Sequence, residues 1–199
     1  MKKVFKKIID KKNKEVFIVV EMSGNHQNSL SKASEFVNKA IINGADIIKF
    51  QVYKPETITL KSNKNDFLRK NPNEWASFKN LFDFYQKAHT PWDWIQKITK
   101  KLNANKFPWF GSVFDSTSVD FLEKLKCPAY KIASPEITDI DLIRKVAATR
   151  KPVIISTGLA NLKDVDLAVK TIKKYHSKFA ILKCTTAYPT PLNELNLKA

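Results

Sequence analysis

Glycine, cysteine and long apolar runs are all scarce in this chain of 199 residues. Only four glycines are present, and none forms a glycine-rich loop after the first strand candidate, which argues against an open dinucleotide-binding sheet. The two cysteines, Cys127 and Cys184, lie far apart, which excludes a disulfide scaffold and a cysteine metal pair. No apolar run approaches the ~18 residues that span a bilayer, and the N-terminus has no apolar signal-peptide region. We therefore expect a soluble cytoplasmic protein.

Positive charge is the most unusual feature of the composition. The formal net charge is +16, from 35 lysines and arginines against 19 aspartates and glutamates. Such a charge is compatible with nucleic acid, an anionic membrane surface or anionic small molecules as partners. The basic residues are spread over several predicted helices, whereas a nucleic-acid footprint would be focused. We interpret most of the charge as solvated surface and expect neither nucleic acid nor membrane as partner; a steep salt dependence of DNA binding would argue otherwise.

Short β-branched runs alternate with amphipathic stretches along the chain. Continuous apolar strands separated by helices predict a parallel sheet that is buried on both faces. The unit repeats about every 25–40 residues, which favours a (β/α)8 barrel of the TIM type over an open sheet. The predicted strands are 16–22, 46–53, 107–114, 129–134, 151–158 and 179–186, and the predicted helices are 29–45, 77–89, 90–105, 115–125, 138–149 and 161–175.

The predicted strands are too few for a closed barrel, which needs eight strands and typically ~250 residues. We therefore expect the N-terminal part of a barrel over residues 16–199, truncated after about the sixth strand and preceded by a basic extension, residues 1–15. Residues 54–75 interrupt the rhythm and are predicted to include a short hairpin around "ETITL". Thr90 and Pro91 predict the N-cap and first residue of the next helix.

Lysine occurs inside three of the predicted strands, at Lys49, Lys131 and Lys183. Burying a lysine costs several kcal/mol unless it is paired or kept at a wet strand end. Ligands of parallel α/β folds bind at the carboxyl ends of the strands, so such lysines could hold a phosphate or carboxylate. The alternatives are snorkelling lysines and hydroxyls that only cap helices. Other polar residues at these ends are Glu21, Asn25, Gln51, Ser134, Glu136, Ser156, Thr186 and Tyr188.

Five motifs from Val16 onward carry a family resemblance: "VEMSGNHQNSL", "NGADIIKFQVYKPETITL", "VFDSTSVDFLEKLKCPAYKIASPEITDIDLI", "KPVIISTGLANLKDV" and "LKCTTAYPTPLNELNL". In these motifs and their order the chain resembles the sialic acid synthase family, whose members condense phosphoenolpyruvate to make nine-carbon acidic sugars. "EMSGNH", "TITL" and "HTPWDW" look most like the pseudaminic acid branch. Legionaminic and N-acetylneuraminic acid synthases are the alternatives, and aromatic-pathway aldolase-type synthases fit less well.

The resemblance implies a chemistry and a set of site residues. Phosphoenolpyruvate adds to the aldehyde of an open-chain N-acetylated hexose, which a divalent metal, Mn²⁺ or Mg²⁺, polarises. By motif, phosphoenolpyruvate is expected to be bound by Lys49, Lys131, Ser134 and Ser156. Glu21 and Glu136 are the candidates for proton transfer or water positioning. Asn25, Gln51, Thr186 and Tyr188 are expected to line the substrate side.

The chain also departs from the family pattern. The metal-binding histidines of the family are expected on strands seven and eight, and the family's C-terminal antifreeze-like domain and homodimer are expected only of a full-length enzyme. No metal ligands are therefore expected in this chain, and we expect it to be inactive alone. A non-catalytic remnant that binds phosphoenolpyruvate or sugar is the alternative. Val113 occurs where the family usually has a proline or threonine, and Lys183 occurs where it usually has a histidine.

Overall fold

The fold is a run of strands and helices in alternation. The computed structural model describes residues 2–10, 12–68, 78, 80–187 and 189–196. Its strands are β1 Val19–Glu21, β2 Ile47–Val52, β3 Trp109–Val113, β4 Tyr130–Ile132, β5 Val153–Ser156 and β6 Phe179–Leu182. Its helices are α1 Lys2–Ile8, α2 Leu30–Ile42, α3 Pro55–Ile58, α4 Leu81–Ala88, α5 Trp92–Ala104, α6 Ser116–Lys124, α7 Ile140–Ala148 and α8 Leu162–Lys173. Short 3-10 turns cover Asn65–Phe67, Pro135–Thr138 and Leu192–Glu194.

The chain divides into two compact units. The first unit comprises residues 14–127, and the second unit comprises residues 2–13 and 128–199. In the first unit β1, β2 and β3 pair in parallel, with Glu21 opposite Lys49 and Ile48 opposite Trp109. In the second unit β4, β5 and β6 pair in parallel, with Lys131 opposite Ile154. The predicted α/β class with parallel strands is therefore confirmed.

The strands differ in how deeply they are buried. Strands β3, β4 and β5 are buried along their whole length, as continuous apolar runs predict. Strand β6 is partly exposed, and Ile181 and Leu182 keep 47% and 44% of their accessible surface. Ile18 and Val19 at β1 are also exposed. Strands β1 and β6 thus present apolar side chains to solvent.

Side-chain caps explain where several helices begin. Asp115 accepts hydrogen bonds from the backbone N–H groups of Thr117 and Ser118, at 2.7 and 3.0 Å, and so starts α6 as its sequence predicts. The other carboxylate oxygen of Asp115 accepts a hydrogen bond from Thr57 Oγ1 at 2.8 Å. One carboxylate therefore both caps α6 and holds α3 at the end of β3.

Two local predictions are wrong, and one of the alternatives is excluded. The segment "ETITL" forms no hairpin, because Pro55–Ile58 is a helical turn that begins with a proline at its first position. Helix α5 begins at Trp92, so Pro91 rather than Thr90 occupies the N-cap position. The hydroxyls of "STG" do not cap α8, because the cap is Asn161, which accepts from the N–H groups of residues 163 and 164.

Candidate active site

Lys131 lies at the centre of a polar cluster in the second unit. It stands on β4, and only 6% of its surface is exposed. Its ammonium donates hydrogen bonds to Ser156 Oγ at 2.5 Å and to the Ile132 carbonyl at 3.1 Å. The register places Lys131 opposite Ile154, so its four-carbon stem has to reach only two residues along β5 to meet Ser156. Two of the four residues predicted to bind phosphoenolpyruvate are therefore in direct contact.

Gly158 brings three strand ends of the second unit together. Its backbone N–H donates to Ser134 Oγ at 3.1 Å. A Cβ at this position would lie 3.0 Å from both Ser134 Oγ and the Cys184 carbonyl, and would collide with Thr186 Oγ1. Only a glycine permits so close an approach. Sequence reasoning missed this role, although the "STG" motif carried the signal.

Glu136 follows β4 in the 3-10 turn Pro135–Thr138 and is half-buried. Its Oε2 atom is buried and has no hydrogen-bond partner among the described residues. Burial raises the pKa of Glu136 to about 7, against the opposing effects of its own backbone N–H and the Lys131 charge. A carboxyl group with this pKa exchanges a proton readily near neutral pH, which suits a general acid or base.

The buried Glu136 carboxyl predicts a pH-dependent loss of stability. Because its folded pKa lies above the ordinary value of 4.5, the folded state holds the proton more tightly between pH 4.5 and about 7. The free energy of unfolding contributed by this group therefore falls as pH rises through that window. We expect Glu136→Gln to raise the melting temperature at pH 8 relative to the original chain and to change it little at pH 4.5, measured by circular dichroism.

The control for this prediction is Glu35→Gln. A hydrogen bond and the charge of Lys39 lower the pKa of the exposed Glu35. The Glu35 carboxylate contributes stability at high pH that is lost as pH falls. Glu35→Gln should therefore be less stable than the original chain at pH 8. An effect of Glu136→Gln that is equal at both pH values would contradict the assignment.

An ion pair joins Glu21 and Lys49 in the first unit. The Lys49 ammonium lies 2.7 Å from Glu21 Oε2, and their side chains are 19% and 29% exposed. The parallel register places Glu21, the last residue of β1, beside Lys49 in the middle of β2. Glu21 Oε1 is buried without a hydrogen-bond partner among the described residues. The carboxylate thus neutralises Lys49 and keeps one oxygen for a further donor.

The remaining predicted site residues are more exposed. Gln51 is half-buried and lies on the same side of β2 as Lys49, as strand alternation requires. Asn25 is exposed in the turn after β1, and Thr186 is exposed beyond β6, close to Gly158. Tyr188 lies outside the described residues.

No metal cluster is evident in the part of the chain that the structure describes. Residues 2–10, 12–68, 78, 80–187 and 189–196 contain no group of three or more histidines, cysteines, aspartates and glutamates that could hold a metal ion. In these same ranges no helix is both long and apolar enough to cross a membrane.

Comparison with known proteins identifies the family. The model of the NeuB family matches residues 36–199, which include every predicted site residue except Glu21 and Asn25. The chain belongs to the NeuB family. The resemblance predicted from the motifs is therefore confirmed.

The relatives of this NeuB-family chain include sugar acid synthases. It is 38% identical over 181 residues to pseudaminic acid synthase of Helicobacter pylori, covering 90% of this chain and 53% of that protein. It is 32% identical to N,N'-diacetyllegionaminic acid synthase of Campylobacter jejuni, covering 94% of this chain and 56% of that protein. The chain thus spans about half the length of the curated relatives it matches.

A solved structure supports the fold of the NeuB-family chain. The N-acetylneuraminic acid synthetase of Leptospira borgpetersenii, crystallised with citrate, matches with a TM-score of 0.77 and 26% identity, covering 92% of this chain and 58% of that one. The predicted fold class, part of a sialic acid synthase-type (β/α) barrel, is confirmed.

Proposed function

We propose that the chain is the phosphoenolpyruvate-recognising part of a nonulosonic acid synthase. The full enzyme would condense phosphoenolpyruvate with an open-chain N-acetylated hexose to give a nine-carbon acidic sugar and phosphate. The observation that carries the proposal is the Lys131–Ser156 contact beside Ser134 and Gly158, in a chain whose relatives include such synthases. The higher identity to pseudaminic than to legionaminic acid synthases favours pseudaminic acid as the product.

The reaction needs an anion site and a proton-transfer group. The C3 carbon of phosphoenolpyruvate bonds to the aldehyde carbon, whose oxygen takes a proton. Water then adds at C2, and phosphate leaves with cleavage of the C–O bond. Ammonium, hydroxyl and amide donors are suited to the phosphate and carboxylate of phosphoenolpyruvate. We assign these contacts to Lys131, Ser134 and Ser156, together with the Gly158 N–H.

The two carboxyl groups have different environments and are assigned different roles. Glu136, with a pKa raised to about 7 by burial, is the proposed proton-transfer group. Glu21 forms an ion pair with Lys49, and its second oxygen is suited to orient a water or a substrate hydroxyl. Lys49 is still proposed to contact phosphoenolpyruvate, with its charge shared between Glu21 and the ligand.

The remaining assignments extend the same proposal. Asn25, Gln51, Thr186 and Tyr188 are proposed to line the substrate side. A divalent metal, Mn²⁺ or Mg²⁺, would supply Lewis-acid polarisation of the aldehyde, but the described residues offer no set of ligands for it, so no step is assigned to them through a metal. We further propose residues 1–15 as a basic extension, residues 16–199 as the barrel part, a homodimer for the full-length enzyme, and the cytoplasm as its compartment.

Calorimetric titration with phosphoenolpyruvate tests the proposal. We expect saturable binding with one site per chain, because the polar cluster of the second unit lies within this chain. A folded chain that gives no binding heat and no protection by phosphoenolpyruvate against thermal unfolding would contradict it.

A second assay separates catalysis from binding alone. Phosphate release is measured with phosphoenolpyruvate, an N-acetylated hexose and Mn²⁺. We expect binding without release from these 199 residues. Release would show that they suffice for the whole reaction and would make the prediction of inactivity wrong.

A further inference from the structure

Lys183 directly follows β6, but its ammonium is bonded to the chain that comes after it. The Nζ atom donates a hydrogen bond to Thr185 Oγ1 at 2.7 Å and another to the Leu195 carbonyl at 2.6 Å. The residue itself is exposed. Its environment therefore differs from that of Lys131, which is buried and bonded to a neighbouring strand.

The carbonyl groups that accept hydrogen bonds from Lys183 and Thr185 lie at the C-terminal end of a helical turn. Thr185 Oγ1 donates to the Glu194 carbonyl at 3.2 Å, and Leu195 is the C-cap of the 3-10 turn Leu192–Glu194. Carbonyl groups at the C-terminal end of a helical turn carry partial negative charge, and a lysine there satisfies them. The Lys183 ammonium and the Thr185 hydroxyl thus connect residues 183–185 to residues 194–195 by hydrogen bonds.

The stretch that is tied together contains a residue of the candidate site. Thr186 lies between the two anchor points, and its Oγ1 atom lies where a side chain on Gly158 would collide with it. Gly158 in turn donates its N–H to Ser134 Oγ, one of the proposed phosphoenolpyruvate contacts. Displacing the turn would therefore release the packing of Thr186 against Gly158.

We propose that Lys183 is a positioning residue that closes the chain after β6 and thereby holds Thr186 against the anion site. Lys183 itself does not contact phosphoenolpyruvate. The closure is a property of the chain alone, whereas its consequence for phosphoenolpyruvate binding rests on the proposed function. In the sequence Lys183 resembles a third anion ligand, but in the structure its ammonium bonds to the chain that follows β6.

Amide hydrogen exchange, followed residue by residue by NMR, tests the closure without any ligand. The amides of Ala187, Glu194 and Leu195 bond within the closed stretch, to the carbonyls of Thr185, Pro191 and Leu192. We expect Lys183→Met to speed their exchange about 10-fold, and Lys183→Arg, which keeps the charge and the donors, to restore it. The Thr157 amide, which bonds to the Leu182 carbonyl, is the internal reference and should not change.

Titration with phosphoenolpyruvate separates positioning from direct binding. We expect Lys183→Met to weaken binding about 3- to 10-fold, far less than Lys131→Met, and Lys183→Arg to recover most of it. Unchanged exchange in folded Lys183→Met would overturn the inference even if the ligand binds. A loss as large as that of Lys131→Met would also overturn it, by making Lys183 an anion ligand. Failure of the original chain to bind phosphoenolpyruvate, with exchange accelerated as expected, would count against the proposed function and leave the closure standing.

Discussion

Lys131→Met is expected to weaken phosphoenolpyruvate binding by at least about 30-fold. Loss of a buried charged partner in a binding site typically costs 2–5 kcal/mol, and each ~1.4 kcal/mol is a factor of ten in Kd. Methionine keeps most of the apolar stem, so packing around β4 should be preserved. Lys131 is 6% exposed and hydrogen-bonded to Ser156. Strands β4 and β5 contain no second lysine that could replace its ammonium. Calorimetric titration of both chains measures the effect.

The matched control for Lys131→Met is Lys170→Met in the same unit. Lys170 lies on α8, forms an ion pair with Asp166 at 2.5 Å, and has a side chain that is 68% exposed. This change removes the same charge from the chain but should leave the affinity within about twofold, since exposed charges are largely screened. Equal losses from both variants would mean that net charge, and not a built site, attracts phosphoenolpyruvate.

Gly158→Ala is expected to weaken phosphoenolpyruvate binding about 10- to 100-fold and to lower the free energy of unfolding by about 1–3 kcal/mol. The new methyl group would collide with Thr186 Oγ1 and crowd Ser134 Oγ and the Cys184 carbonyl. The chain must then shift at all three strand ends of the second unit. Urea unfolding and calorimetric titration measure the two effects separately.

Gly111→Ala separates the loss of stability from the loss of binding. A Cβ at Gly111, on β3 of the first unit, would collide with the Leu122 side chain in the core. This variant should therefore lose a similar amount of stability but keep most of its affinity for phosphoenolpyruvate. If Gly158→Ala bound phosphoenolpyruvate as well as Gly111→Ala does, Gly158 would be a packing residue only.

The sequence predicted the order and type of the main elements because each carries its own periodicity. Apolar β-branched runs such as 153–156 form strands, and the Asp115 cap starts α6 within the predicted helix 115–125. The wrong predictions fall on segments where two local structures compete. "ETITL" has β-branched residues, but Pro55 before it and the hydrogen bond from Thr57 to Asp115, 58 residues away, stabilise a helical turn. A contact at that separation has no signal in a local pattern.

The site was predictable in its residue types but not in its pairings. Three strand lysines looked equivalent in the sequence. In the structure Lys49 pairs with Glu21, Lys131 is buried against Ser156, and Lys183 is bonded to Leu195. Which partner each lysine meets depends on strand register and on the course of the chain after the strand, and neither can be read from residue spacing. The same holds for Gly158, whose importance comes from the atoms around it.

NMR of the lysine side chains during a phosphoenolpyruvate titration tests the central claim most directly. With ¹³C-labelled lysine, the Cε resonances report which ammonium groups meet the ligand, and Lys131→Met assigns the signal. We predict that the Lys131 signal shifts saturably, in proportion to the bound fraction, while the Lys183 and Lys170 signals move little. A titration in which exposed lysines shift together and Lys131 does not respond would contradict a phosphoenolpyruvate site at the ends of β4 and β5.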